Sequence, residues 1–233
     1  MTLTTNNFYL SADWPSPPNV QAVTFLRDSQ VCPQGRAYNP QRIAHFFAQP
    51  TFFSLQQIHS PIVKEAIDKN FQTEGDALFT REKNLACIML TADCLPIFIT
   101  NRQGTVVALV HAGWRGLAAD ILHQTLKALN LPPEEVLVWI GPAIGADKFI
   151  VKSDVYQAFM KLNLDLAAAF RQVNATQWAC DLVLIAKLQL SALKILQIFG
   201  GTDCTASATD KFYSYRSEGE ATGRLVNMIW MQG

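Results

Sequence analysis

The chain has 233 residues, enough to bury a sizeable core as one large domain or two small ones without disulfides or metals to hold it. It is 49% hydrophobic and only 16% charged, against roughly 25% charged in an average globular chain, which excludes a disordered or fibrous protein. Nineteen basic residues balance nineteen acidic ones, so the cationic excess that drives counterion release from DNA or RNA is missing and nucleic acid is not an expected partner.

The first residues show no basic stretch followed by an apolar one, and no apolar run approaches the roughly 18 residues of a membrane helix. Five cysteines, an odd number without a CxxC pair, argue against a secreted disulfide framework. The expectation is a cytoplasmic protein with neither export nor a membrane span. No repeat, low-complexity tract or Gly/Ser linker divides residues 1–233, so a single domain is the simplest organisation.

In chain order, Val20 to Asn39 reads as a strand running into a loop, and Pro40 to Phe47 as a short helix opened by proline. Ala86 to Leu90 and Leu95 to Thr100 are apolar runs flanking a polar interruption, Thr91 to Cys94; Asn101 to Gly104 reads as a turn and Thr105 to Val110 as a buried strand. The turn HAGWRG leads to a helical spacing from Leu117 to Leu129, ended by Pro132 and Pro133, and Val136 to Ile140 follows as a strand. Lys152 to Leu162 and Asp181 to Phe199 read as helices, Ile229 to Met231 as a last short strand. This order implies an α/β fold, a single layered domain with a mixed β-sheet packed by helices.

Two of the four histidines, His59 in QIHS and His111 in HAGWRG, stand in polar or Gly-rich settings beside strand ends, whereas His45 and His123 sit inside helical patterns as ordinary surface residues. Cys94 lies at the polar break between two buried runs; such a thiol is either a small core hydrophobe or a ligand. Two imidazoles and a thiolate suit a borderline-soft cation such as zinc and leave one tetrahedral position open. The spacings of 35 and 17 residues form no local metal motif, so spacing alone leaves both readings standing. HAGWRG is either a tight turn or an anion-facing helix start carrying Arg115. Phe212 to Arg216 is either an edge strand or an aromatic and guanidinium pocket wall, and Asp76 after Gly75 is either a turn cap or a carboxylate orienting a metal-bound histidine.

In sequence order, QIHS, GDALFT, MLTADCLPIFI, VALVHAGWRG, WIGPAIG, CTA and FYSYRSEGEATGR resemble the bacterial YfiH-like family, long labelled laccase-domain or multicopper polyphenol oxidase and now viewed as zinc-dependent purine nucleoside phosphorylases. The resemblance runs from Phe53 to Trp230. It implies an α/β fold in which His59, Cys94 and His111 bind one zinc, with copper as the older assignment. It also implies phosphorolysis of adenosine, inosine, guanosine and methylthioadenosine to base and sugar 1-phosphate, with adenosine deamination as a second activity.

From residue type and position in the sequence, Asp93 and Arg115 are the expected catalytic residues, and Arg27, Gln57, Arg216 and Arg224 the expected substrate-binding ones. The expected partners are purine nucleosides and inorganic phosphate; the oligomeric state is open. The chain departs from the family at Thr24 to Asn39, where a Gly-Gly stretch is absent, at Ser60 in place of glycine, and at Ser217 in place of a second arginine. Four histidines cannot furnish the about ten that true multicopper chemistry needs. The same residues would also suit a hydrolase that edits peptidoglycan precursors, or a metal-binding domain without catalytic turnover.

Overall fold

The long strands are apolar at consecutive positions, so each must bury both faces, and a stack of layers does this. The computed structural model describes residues 7–47, 51–67, 73–162 and 164–233. Among these, one sheet runs in the order Tyr9–Ser11, Val20–Phe25, Leu225–Met231, Leu85–Thr91 and Thr51–Ser54, antiparallel except for the last pair. A second runs Ile198–Gly200, Val136–Ile140, Leu95–Asn101, Val107–Ala112, Ala77–Thr80 and Val63–Glu65, with a parallel pair at each edge and antiparallel pairs between. Ile150–Lys152, Gln177–Cys180 and Phe170–Asn174 form a small antiparallel third.

Alternate side chains take opposite faces of each strand. Cys87, Met89 and Ile229 of the first sheet meet Leu78, Phe98, Leu109 and Trp139 of the second in one buried cluster. The far face of the second sheet, with Ile97, Ile99, Val110 and Val138, is covered by the helices Trp114–Ala118, Ile121–Leu129, Ser153–Met160 and Leu182–Ala192. The far face of the first, with Ile88, Val226 and Met228, packs against Val31, Cys32 and Ile43. Ile43 lies on the helix Pro40–Phe46, whose N-terminus is fixed by Pro40 and by the Asn39 side chain accepting from the Gln41 and Arg42 amides.

The layered α/β architecture is as expected, but the strands divide over three sheets rather than one. The polar interruption after Thr91 is where the chain leaves the first sheet for the second. The strand expected over Thr105 to Val110 is Val107–Ala112, because the Asn101 side chain bonds both the Thr105 amide and its hydroxyl and prolongs the turn; His111 therefore lies within the strand. The helix expected over Leu117 to Leu129 is broken at Asp120, whose φ of +67° reverses the local path while its carboxylate bonds His123 Nδ1 at 2.8 Å.

The helix expected over Asp181 to Phe199 ends at Ala192. Lys194 then turns at φ +64°, and Ile198–Gly200 joins the sheet edge parallel to Val136–Ile140. The strand expected at Ile229 to Met231 is the longer Leu225–Met231, inside the first sheet. Lys152 to Leu162 holds the shorter helix Ser153–Met160, and Phe212 to Arg216 contains no strand but leads into the helical turn Tyr215–Glu218. Among the described residues no helix is long and apolar enough to cross a membrane.

Phe98 is fully buried between the sheets, its ring 5.0 Å from that of Trp139. Phe98→Ala is expected to lower the unfolding free energy by about 3–5 kcal/mol, read as a fall in the urea midpoint.

Candidate metal centre and its cleft

Two chain segments cross from the first sheet to the second at the same end of the stack. One follows Thr51–Ser54 and carries Gln57 and His59; the other follows Leu85–Thr91 and carries Asp93 and Cys94. The first two strands are parallel neighbours, so both crossings leave together. Gln57 ties them, donating from Nε2 to the Leu90 carbonyl and accepting from the Leu90 amide, each at 2.8 Å. In the second sheet, His111 lies near the end of its strand opposite Pro96, and its amide donates to the Asp76 carbonyl at 2.7 Å.

The Asp76 carboxylate, fully buried, binds both histidine-bearing segments. Oδ1 accepts from the His59 amide at 3.0 Å and pairs with His111 Nδ1 at 2.8 Å. Oδ2 accepts from the amides of Ile58 and Ser60 and from the Ser60 hydroxyl. Burial by itself would raise the Asp76 pKa, but the bonds from His111 and Ser60 outweigh it and hold the carboxyl down to about 2. The turn it organises has His59 at φ +61°, a conformation a non-glycine residue adopts at a cost of about 1–3 kcal/mol. Of the two roles open to Asp76 in the sequence, the structure favours the carboxylate that orients a histidine.

His59, Cys94 and His111 present ligand atoms that all lie within 4.8 Å of one another, with His59 Nε2 3.9 Å from Cys94 Sγ. The imidazole rings stand edge to face, 4.7 Å apart. A Cβ built on Gly113 would sit 2.9 Å from Cys94 Sγ and 3.0 Å from His59 Cδ2, so only glycine leaves this space free. Burial pushes the Cys94 thiol up, but His111 and then His59 outweigh it and lower its pKa; burial pulls His111 down, but Cys94 and Asp76 outweigh it and raise it. The favoured thiolate is the ligand form of cysteine. Two imidazoles, a thiolate and a carboxylate behind one imidazole fit a bound transition metal.

These residues open into a cleft of about 650 Å³, within the range of small-molecule sites. Gln57, Asp93, Arg115, Arg216 and Arg224, all singled out in the sequence, line it. Arg115 lies over the Trp114 ring at 4.4 Å. Asp93, at φ +90°, has both carboxylate oxygens engaged, with the Thr205 hydroxyl at 2.6 Å and the Arg216 amide at 2.7 Å. Arg216 Nη1 donates to the Lys148 and Ile150 carbonyls.

Arg27 is not among the residues that line the cleft. Its Nη2 donates to the Phe212 carbonyl and to Glu218, and its guanidinium lies over the Tyr213 ring, so it anchors the segment that carries Tyr215 and Arg216. Sequence reasoning missed Arg36 and Glu220, which also line the cleft; Glu220 lies within FYSYRSEGEATGR but was not singled out there, while Arg36 belongs to no quoted motif and reaches the cleft only through the return of a distant segment. His45 and His123 are not among the residues that line it, and sit on the helices expected.

The family model described as multi-copper polyphenol oxidoreductase laccase matches residues 33–232. A purine nucleoside phosphorylase of Pseudomonas aeruginosa is 35% identical over 97% of this chain and 99% of its own. The purine nucleoside phosphorylase YfiH of Escherichia coli is 38% identical over 76% of this chain and 72% of its own. A crystal structure of a Neisseria meningitidis protein superposes with a TM-score of 0.88 at 36% identity, covering 97% of this chain and 99% of the other. With the matched region spanning most of the chain and the fold shared throughout, this protein belongs to the laccase-like YfiH family.

Proposed function

We propose that the protein is a zinc-dependent purine nucleoside phosphorylase, acting as one catalytic domain in the cytoplasm. The observation that carries the reading is the convergence of His59, Cys94 and His111 in a cleft walled by arginines, in a chain whose relatives bear that activity in their names. The substrate class is taken as adenosine, inosine, guanosine and methylthioadenosine, split with phosphate to base and sugar 1-phosphate, with adenosine deamination as a second activity. Five free thiols support a reducing compartment.

His59, Cys94 and His111 would hold the ion, a set of two imidazoles and a thiolate that zinc and copper both accept and that we take as a zinc site. Once bound, zinc supplies a Lewis acid with an open position. The chain's own residues do the rest. Asp76 keeps His111 in the tautomer protonated on Nδ1, so that Nε2 faces Cys94 and His59. Asp93 holds the Arg216 segment against the cleft, and Arg115 and Arg224 present positive charge to phosphate. Gln57 sets the floor beside His59, and Arg27 acts on the substrate from outside the cleft by anchoring residues 212–218.

Metal-quantified protein incubated with inosine or adenosine is expected to release free base only when phosphate is present, with about one metal per chain. Cys94→Ala is expected to lose both metal and base release. Metal without base release in the parent chain overturns the reading.

Asp76→Asn is expected to weaken metal affinity by about 10–100-fold, measured by chelator competition, because an amide nitrogen replaces one acceptor of the turn. The folded-state pKa of Asp76, about 2, lies below its ordinary 3.8, so between these values the unfolded chain binds more protons. Its contribution to stability is therefore full above about pH 4 and is lost as the pH falls through about 2. Urea midpoints measured across this window are expected to fall in the parent chain, and less steeply in Asp76→Asn.

A further inference from the structure

Among the described residues, Arg224 is a buried cation with no carboxylate partner. Only 9% of it is exposed, and its Nη1 donates to the carbonyls of Thr222 and Gly223. A guanidinium does not release its proton at neutral pH, and burying it unpaired is expensive. Two carboxylates line the same cleft. Asp93 is committed to Thr205 and the Arg216 amide, and Glu220 makes no ion pair among the described residues.

A second cation stands on the same wall. The Arg224 amide donates to the Cys32 carbonyl at 2.9 Å, and a Cβ on Gly223 would lie 2.4 Å from that oxygen, so the loop through Cys32 rests directly on the Gly223–Arg224 backbone. From there the chain turns at Gly35, φ +63°, and delivers Arg36 into the cleft that Arg224 also lines. Arg36 is close enough to act on Arg224 electrostatically as a like charge, after burial the next cause of its lowered pKa. Two guanidiniums that border one cleft and share no carboxylate make a place for an anion, and their planar forks suit a tetrahedral oxyanion.

We infer that Arg224 and Arg36 together form the subsite for inorganic phosphate, with Arg224 as its buried floor and Arg36 as the partner supplied by the loop. That the anion is phosphate rests on the phosphorylase reading; that an anion sits there rests on the charge arrangement.

Calorimetric titration of inorganic phosphate into the metal-loaded protein tests the subsite without turnover, and steady-state kinetics with inosine and phosphate test it during turnover. Arg36→Gln, on a surface loop, is expected to keep the fold by circular dichroism, to weaken phosphate binding and to raise KM for phosphate about tenfold or more, with KM for inosine changed less than about twofold. Arg224→Lys, which keeps the charge but loses the fork, is expected to shift the same constants in the same direction. Phosphate-dependent base release with an unchanged phosphate KM in Arg36→Gln overturns the subsite and leaves the phosphorylase reading standing. Phosphate binding lost in Arg36→Gln, in a parent chain that releases no base, supports the subsite and overturns that reading. A parent chain that does not bind phosphate overturns the subsite.

Discussion

The centre depends on one buried carboxylate. Asp76 accepts three backbone amides and a hydroxyl from the turn at 58–60 and pairs with the ring of His111. It holds the turn that puts His59 at positive φ and fixes the Nδ1 side of the His111 imidazole. A carboxylate can do this because it offers about four lone-pair directions and no donors, so every contact it makes is an acceptor contact. Its burial would be unfavourable alone, and is tolerated because every direction is used.

The cleft around it is built from residues that do two things at once. Asp93 faces the cleft and ties down the backbone of Arg216; Gln57 faces it and pairs like a strand residue with Leu90. Arg27 shows the same economy at a distance, since the side chain that stacks on Tyr213 also fixes the Phe212 carbonyl. Substitutions at these positions would move the cleft wall as well as delete a group, so loss of activity at Asp93 or Arg27 would not by itself identify a chemical role.

Much of the fold could be read from the sequence because buried strands announce themselves. Leu95 to Thr100 and Val136 to Ile140 are apolar almost throughout, and both are central strands buried on two faces. The three metal-ligand candidates were visible as residue types at polar breaks, although their spacing carried no information because the proximity comes from sheet crossing. The breaks at Asp120 and Lys194 were invisible: both are positive-φ turns made without glycine or proline, so no breaker marks them. The division into separate sheets was hidden for the same kind of reason, since a strand buried on both faces has no polar side to show which sheet it faces. Asp76 was legible only as one of two roles, and Arg36 not at all, because its place depends on the Cys32 to Gly223 backbone contact made between distant parts of the chain.

The two crossovers also bear on the order of events in folding. His59 and Cys94 occupy segments that exist as ordered links only once both sheets have formed, and His111 lies in a strand inside the second. A small zinc module gathers its ligands from neighbouring stretches and needs the ion to acquire a structure at all. Here the long-range strand pairing has to come first, with the slow loop closures that such pairing entails. A metal held by these three residues would then bind a scaffold assembled without it, and its removal would leave the chain folded.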